Sequence, residues 1–140
     1  MTELEHKAQQ FTWPVRVYYE DTDSGGVVYY ANYLRYCERA RTEWLRTLGF
    51  EQTDLAARHG VVFVVRSINV EYLQPARFND ALSISVELGA VGASQIRMTQ
   101  SVSRADDMLV KAQVRLACVS IAAMKPVRMP EPLSVRLTQQ

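Results

Sequence analysis

A chain of 140 residues, 48% hydrophobic and 22% charged, has the make-up of an ordinary soluble globular protein. It is long enough to bury roughly 68–70% of its unfolded surface in a single domain. Its formal net charge of +1 argues against a dedicated nucleic-acid binder, and no apolar run approaches the ~20 residues of a membrane span.

The opening "MTELEHKAQQFTWP" has no apolar core behind a basic start, so it reads as a flexible polar tail over residues 1–11 rather than a secretory signal. The protein is therefore expected in the cytoplasm. "PVRVYYE" follows, alternating Val15, Val17 and Tyr19 with Arg16, Tyr18 and Glu20, the period-two pattern of a half-buried strand. "DTDSGG" breaks it. From Tyr29 to Leu48, Tyr30, Tyr33, Leu34, Cys37, Trp44, Leu45 and Leu48 recur at spacings of three and four, which predicts one amphipathic helix of about five turns. Gly49 is its expected left-handed stop, with Phe50 folding back, and Arg39 and Glu43 are placed to pair across one turn.

"QTDLAARH" predicts a second, short helix capped by Thr53 or Asp54. Four strands then follow: "GVVFVVRSINVEYL", "ALSISVELG", "SQIRMTQSVSR" and "MLVKAQVRLACVSI". The tail "KPVRMPEPLSVRL", with three prolines, reads as an irregular coda. Strand, long helix, short helix and four strands at hairpin spacing make an α+β fold, an antiparallel sheet with the helix across one face. There is no βαβ alternation. "DSGGVV" also lacks the GxGxxG spacing and the P-loop lysine, so its glycines are not a phosphate cradle by motif.

Three carboxylates, Glu20, Asp21 and Asp23, precede Gly25 and Gly26. The glycines permit positive φ and leave the turn open to a ligand, while the unbonded N–H groups of the following helix start form a positive pole for an anion or a polarised carbonyl oxygen. Asp23 stands nearest that pole, where a carboxylate is available as base or nucleophile. Glu20 is expected on the polar face of the strand and Asp21 as a turn residue bonded to backbone near Asp23. From the residues alone, capping carboxylates, a catalytic carboxylate and a metal site all stay open, although "EDTDSGG" does not continue as a calcium loop.

The other chemistry-bearing residues are less pointed. His6 sits in the tail and His59 alone at a strand edge, with no triad partners; Ser24 lacks the G-x-S-x-G context. Cys37 and Cys118 lie far apart and are expected to be buried thiols rather than a redox or zinc pair. Arg66 has the parity of Ile68 and Val70, so it is expected at a sheet edge, at a subunit contact or on an anionic ligand.

"YYEDTDSGGVVYYANYLRYCERARTEWL", "VVFVVRSINVEYLQPARFNDAL" and "MKPVRMP" closely resemble the YbgC-like acyl-CoA thioesterases, of the 4-hydroxybenzoyl-CoA thioesterase class of hotdog-fold proteins, from about Trp13 to Pro132. The resemblance implies one domain over residues 1–140, a five-stranded antiparallel sheet wrapped around the long helix. It implies homodimers, commonly paired into homotetramers, with sites at the dimer interface and hydrolysis of an acyl-CoA substrate without metal or cofactor. The family's catalytic aspartate falls on Asp23, a strand tyrosine on Tyr19 and the backbone oxyanion donor near Tyr30, with Gly25, Gly26 and Arg66 as substrate contacts. Many members carry histidine where this chain has Tyr30, so an imidazole has no role there. "GAVGASQ" lacks the basic cluster that grips CoA phosphates in part of the class, which leaves Arg66, Lys125 and Arg128 as candidates. Members are associated with the Tol-Pal envelope system and phospholipid metabolism. The alternative is thus a non-catalytic module binding acyl carrier protein or a phospholipid-synthesis enzyme.

Overall fold

The computed structural model describes residues 10–139. Five strands, β1 (Phe11–Arg16), β2 (Val61–Tyr72), β3 (Ala81–Val91), β4 (Gln95–Arg104) and β5 (Asp107–Ser120), form one open sheet in the order β1-β3-β4-β5-β2. Every neighbouring pair is antiparallel. Alternation dictates the inward face: Leu82, Ile84 and Val86 of β3 and Ile96, Met98 and Val102 of β4 are buried. Across this face runs helix α1 (Asn32–Thr47), packed against β1, β3 and β4.

Helix α1 buries Tyr33, Tyr36, Cys37, Ala40 and Trp44, one stripe at the expected spacing. It begins at Asn32 rather than Tyr29, because the Tyr29 N–H turns back onto the Asp21 carbonyl at 2.9 Å. At its other end Gly49 has φ +95°, and the Phe50 N–H returns to the Leu45 carbonyl at 3.1 Å, the stop expected from the sequence. Glu43 pairs with Arg46 rather than Arg39, and Arg46 also holds Glu51 at 3.0 Å. Arg39 lies over the Tyr36 ring instead, 5.9 Å from its centroid.

Helix α2 (Gln52–His59) starts after Glu51 with no side-chain cap, so neither Thr53 nor Asp54 caps it. The tail is not irregular. Residues Glu131–Thr138 form helix α3, which adds buried Leu133 and Leu137 to the core together with Met129. Pro130 occupies its cap and Pro132 its first turn, where a missing N–H costs no intrahelical bond. The first strand also differs from its expected span. It begins at Phe11, inside the segment read as tail, and ends at Arg16; Tyr19 lies beyond it in a 3₁₀ turn, Tyr19–Asp21. Residues 1–9 of the expected tail, His6 among them, lie outside the described residues.

The segment between β2 and β3 is fastened to the chain on either side of the acidic turn. Val28 N–H bonds Ala76 O at 2.8 Å, Asn79 N–H bonds Val17 O at 2.9 Å, and Val17 N–H bonds Asp80 O at 3.0 Å. Asp80 accepts from the Arg77 N–H and the Arg104 guanidinium, both at 2.8 Å. Burial opposes ionisation of Asp80, but these two donors outweigh it and hold the carboxyl below its ordinary range. Both cysteines are buried and unpaired, and burial pushes the Cys37 thiol up to about 11. Among the described residues no helix is long and apolar enough to cross a membrane.

Because Leu133 is fully buried in the same core as the sheet, Leu133→Ala should lower the unfolding free energy by about 2–5 kcal/mol in urea titration. An unchanged midpoint would show that α3 lies outside the cooperative core.

Candidate active site

The acidic turn is a closed loop between the 3₁₀ turn and α1. Thr22 and Val28 face each other as an isolated antiparallel bridge. Inside it Asp23 N–H bonds Val27 O at 2.9 Å, and Gly26 N–H bonds Asp23 O at 3.1 Å. Each glycine is needed for a different reason. Gly26 has φ +81°, where a β-carbon would be strained although nothing crowds it; a β-carbon on Gly25 would meet Asp23 Oδ1 at 3.3 Å.

The three carboxylates are now distinct. Asp21 Oδ2 accepts the Tyr18 N–H at 2.9 Å, and its backbone carbonyl accepts both the Tyr29 N–H at 2.9 Å and the Asn32 side-chain amide at 2.8 Å. It fastens the turn to the helix start. Glu20 is exposed and has no hydrogen bond or ion pair among the described residues. Asp23 is exposed, with Oδ1 held by the Gly25 N–H at 2.8 Å and Oδ2 without a partner among the described residues. One oxygen therefore orients the carboxylate while the other can accept a proton or attack.

Beyond the turn, the Tyr29 N–H is used by Asp21 and the Asn32 N–H by the Tyr29 carbonyl, at 2.8 Å. That leaves the Tyr30 and Ala31 N–H groups without an acceptor among the described residues, at the positive end of a sixteen-residue helix. A cavity of about 270 Å³ opens beside them, lined by Val28, Tyr30, Tyr33, Tyr72, Leu73 and Pro75. From the sequence Tyr33 is expected only in the apolar stripe of the long helix and Tyr72 only within a strand, so neither is expected at the site. The Tyr72 hydroxyl donates to the Tyr30 carbonyl at 3.4 Å, and its ring meets Tyr30 edge-on at 6.2 Å. Tyr33 is buried and accepts the Ala76 N–H on its hydroxyl at 2.9 Å. Burial pushes its phenol up, and does the same to Tyr36, with the nearby Asp21 carboxylate as the next cause there.

Not every residue singled out from the sequence gathers at this turn. Tyr19 does not lie on a strand: its ring stacks on Phe78, centroids 3.6 Å apart, on the surface. Arg66 sits where the register of β2 shifts between Val65 and Ser67, so it leaves the inward parity of Ile68 and is exposed. Arg66 is about 20 Å along β2 from Tyr72, at ~3.3 Å per residue. Lys125 and Arg128 follow the far end of β5, where Ser120 faces Val61, about 35 Å along the sheet from Tyr72. His59 ends α2 just before Val61, and is also remote from the turn. Among the described residues no three potential ligands cluster as a metal site.

Comparison with known proteins shows the family of the chain. The model of the thioesterase-like superfamily matches residues 17–137, from the end of β1 into α3. The acyl-CoA thioesterase YbgC of Haemophilus influenzae is 47% identical over 86% of this chain and 89% of its own length. The acyl-CoA thioester hydrolase YbgC of Escherichia coli O6:H1 is 45% identical over 92% of this chain and 96% of its own. Among solved structures, a probable thioesterase from Bartonella henselae superposes with a TM-score of 0.83 at 36% identity, covering 86% of this chain and 99% of that one. By its matched sequence and its sheet wrapped on one helix, this chain belongs to the YbgC family of acyl-CoA thioesterases, within the thioesterase-like superfamily with the hotdog fold.

Proposed function

We propose that the chain hydrolyses an acyl-CoA thioester to the free acid and CoA, with Asp23 as base or nucleophile. One observation carries this reading: a carboxylate with one oxygen oriented by Gly25 and the other free stands in the turn leading to two unbonded N–H groups, those of Tyr30 and Ala31. The thioester carbonyl oxygen accepts those N–H groups, which stabilise the charge that develops when the carbonyl is attacked. Asp23 removes a proton from the attacking water, or attacks itself to give a mixed anhydride that water then opens. Thiolate is a good leaving group, so the chemistry needs no strong general acid. The acyl group rests against the Tyr30, Tyr33 and Tyr72 wall.

The reading gives Tyr30 two separable parts. Its backbone N–H is the oxyanion donor; its phenol is wall, packed beside Tyr29 with centroids 4.8 Å apart. Tyr19, stacked on Phe78, supports the segment flanking the turn rather than touching the reacting atoms.

The unit in solution is a homodimer or a pair of dimers. What supports this is β2, a twelve-residue strand at the sheet edge whose outer side has no strand partner among the described residues. A second copy paired antiparallel along that edge reverses its ends. The Lys125 and Arg128 end of one chain then approaches the glycine turn of the other, which gives these two cations a route to the phosphates of CoA, while Arg66 stays near the middle of the paired edge. The compartment is the cytoplasm, where acyl-CoA is available.

CoA release from a panel of short, long and aromatic acyl-CoAs should show turnover, and Asp23→Asn should lower kcat by about 10²–10⁴-fold. Tyr30→Phe should keep nearly full activity, since it retains the N–H; near-full activity of Asp23→Asn would remove Asp23 from its role. Absence of turnover on every thioester, with stable capture of acyl carrier protein or a phospholipid-synthesis enzyme, would replace the enzyme by an interaction module of the kind associated with Tol-Pal. Equilibrium sedimentation should give a dimer or tetramer of the 15.9 kDa chain, and a monomer at all concentrations would contradict the paired β2 edge.

A further inference from the structure

The face of the sheet turned away from α1 is polar, as the solvated side of an antiparallel sheet is expected to be, but its charges are unevenly placed. Arg97 of β4 and Arg115 of β5 stand directly opposite each other in the ladder, on the side away from buried Ile96 and Met98. Residues so opposed have β-carbons only about 4.5–5.5 Å apart, and like charges there repel. In the next strand Ser67 of β2 faces Arg115, and beside that row Asn69 faces Gln113, which also faces Thr99. A cleft of about 270 Å³ lies over these residues, bounded by Ser67, Asn69, Arg97, Gln113 and Arg115.

The cleft is rich in donors and poor in acceptors. Neither Arg97 nor Arg115 makes a side-chain ion pair among the described residues. Arg115 is half-buried, and its Nε is fully enclosed without a hydrogen-bond acceptor. A buried donor left so calls for an acceptor from outside the chain. The Thr99 hydroxyl donates to Gln113 Oε1 at 2.9 Å, which turns the Gln113 amide N–H groups to other acceptors. The carboxylates of this face stand aside: Glu87 of β3 is opposite Thr99, and Glu71 of β2 is opposite Lys111, itself a third cation on the same face.

We propose that this cleft binds a dianionic phosphate group, its oxygens shared between the Arg97 and Arg115 guanidinium groups. Two adjacent guanidinium groups carry two positive charges, which a phosphate monoester neutralises and a monocarboxylate does not. The ligand is distinct from the thioester undergoing hydrolysis. Tyr72, a wall of the thioester cavity, shares the inward parity of Ile68 and Val70, so that cavity and this cleft lie on opposite faces of the sheet. Pairing of two copies along β2 joins sheets edge to edge and leaves the outward face open. The site itself does not depend on the hydrolase reading.

Isothermal calorimetry on the full chain, at constant ionic strength balanced with chloride, reads the binding of inorganic phosphate and of glycerol 3-phosphate. At least one of the two should saturate, and Arg97→Gln and Arg115→Gln should each weaken that binding at least about tenfold, since each removes a charge-assisted pair. Tighter binding of glycerol 3-phosphate assigns the site to a phosphorylated metabolite, and tighter binding of inorganic phosphate assigns it to the free ion; both results sustain it. Acetate, with one charge, should bind at least about tenfold more weakly. Asp23→Asn should leave phosphate binding unchanged, whereas phosphate held by the N–H groups at the start of α1 would tighten once that carboxylate is neutralised. Arg97 is exposed and its glutamine variant should keep the fold; should Arg115→Gln lose its native circular dichroism, Arg97→Gln and the acetate comparison decide. The proposal falls if neither phosphate compound saturates, if acetate binds as tightly, if Arg97→Gln binds phosphate equally, or if Asp23→Asn tightens it. It falls too if the outward face is buried between copies of the chain in solution and excludes phosphate. A raised KM of Arg97→Gln for acyl-CoA would place a phosphate of the substrate here and overturn the assignment to a separate ligand; an unchanged KM sustains it.

Discussion

The carbonyl oxygen of Asp21 accepts two hydrogen bonds, from the Tyr29 N–H and from the buried side-chain amide of Asn32. Everything at the site follows from that junction. It closes the nine-residue excursion from Asp21 to Tyr29, delays the start of α1 until Asn32 and turns the Tyr30 and Ala31 N–H groups away from intramolecular partners.

The junction holds because both of its sides are anchored in the core. Tyr33 and Tyr36, the next residues of the α1 stripe, are buried, and the Tyr33 hydroxyl takes the Ala76 N–H from the segment that also bonds Val28. Helix, acidic turn and the β2–β3 connection are therefore held as one unit. Gln100 performs a related task about one turn after Tyr33, tying the Cys37 carbonyl to the sheet. In both places a buried polar group is tolerated because it is hydrogen-bonded, and each pins α1 at a defined position along its axis.

Much of this architecture is legible in the residues. Period-two alternation in "ALSISVELG" and the three-and-four spacing of α1 mark the two faces of the core, and Gly49 marks the helix end. The alternation of "PVRVYYE" misleads beyond Arg16, since tyrosines suit a strand face and an exposed stack equally; Tyr19 finds Phe78, a partner almost sixty positions away. The prolines before α3 hide a helix because proline is a breaker inside a helix and a good fit at its start. Gln100 could have been found: it has the inward parity of Ile96, Met98 and Val102, and a polar residue there demands a buried partner. Asp23 required more. The sequence left three carboxylates open until the family likeness favoured one, and only the local bonds show how they differ, with Asp21 engaged by Tyr18, Glu20 unbonded and Asp23 held by one oxygen.

In the proposed reaction a thioester carbonyl seats on the N–H groups at the start of α1, beside Asp23. A crystal structure of Asp23→Asn soaked with an acyl-CoA tests it most directly. The predicted result is a carbonyl oxygen about 2.7–3.1 Å from the Tyr30 nitrogen, with the acyl carbon facing the side chain at position 23. An intact thioester bound with its carbonyl elsewhere, and the Tyr30 N–H left facing solvent, would contradict it.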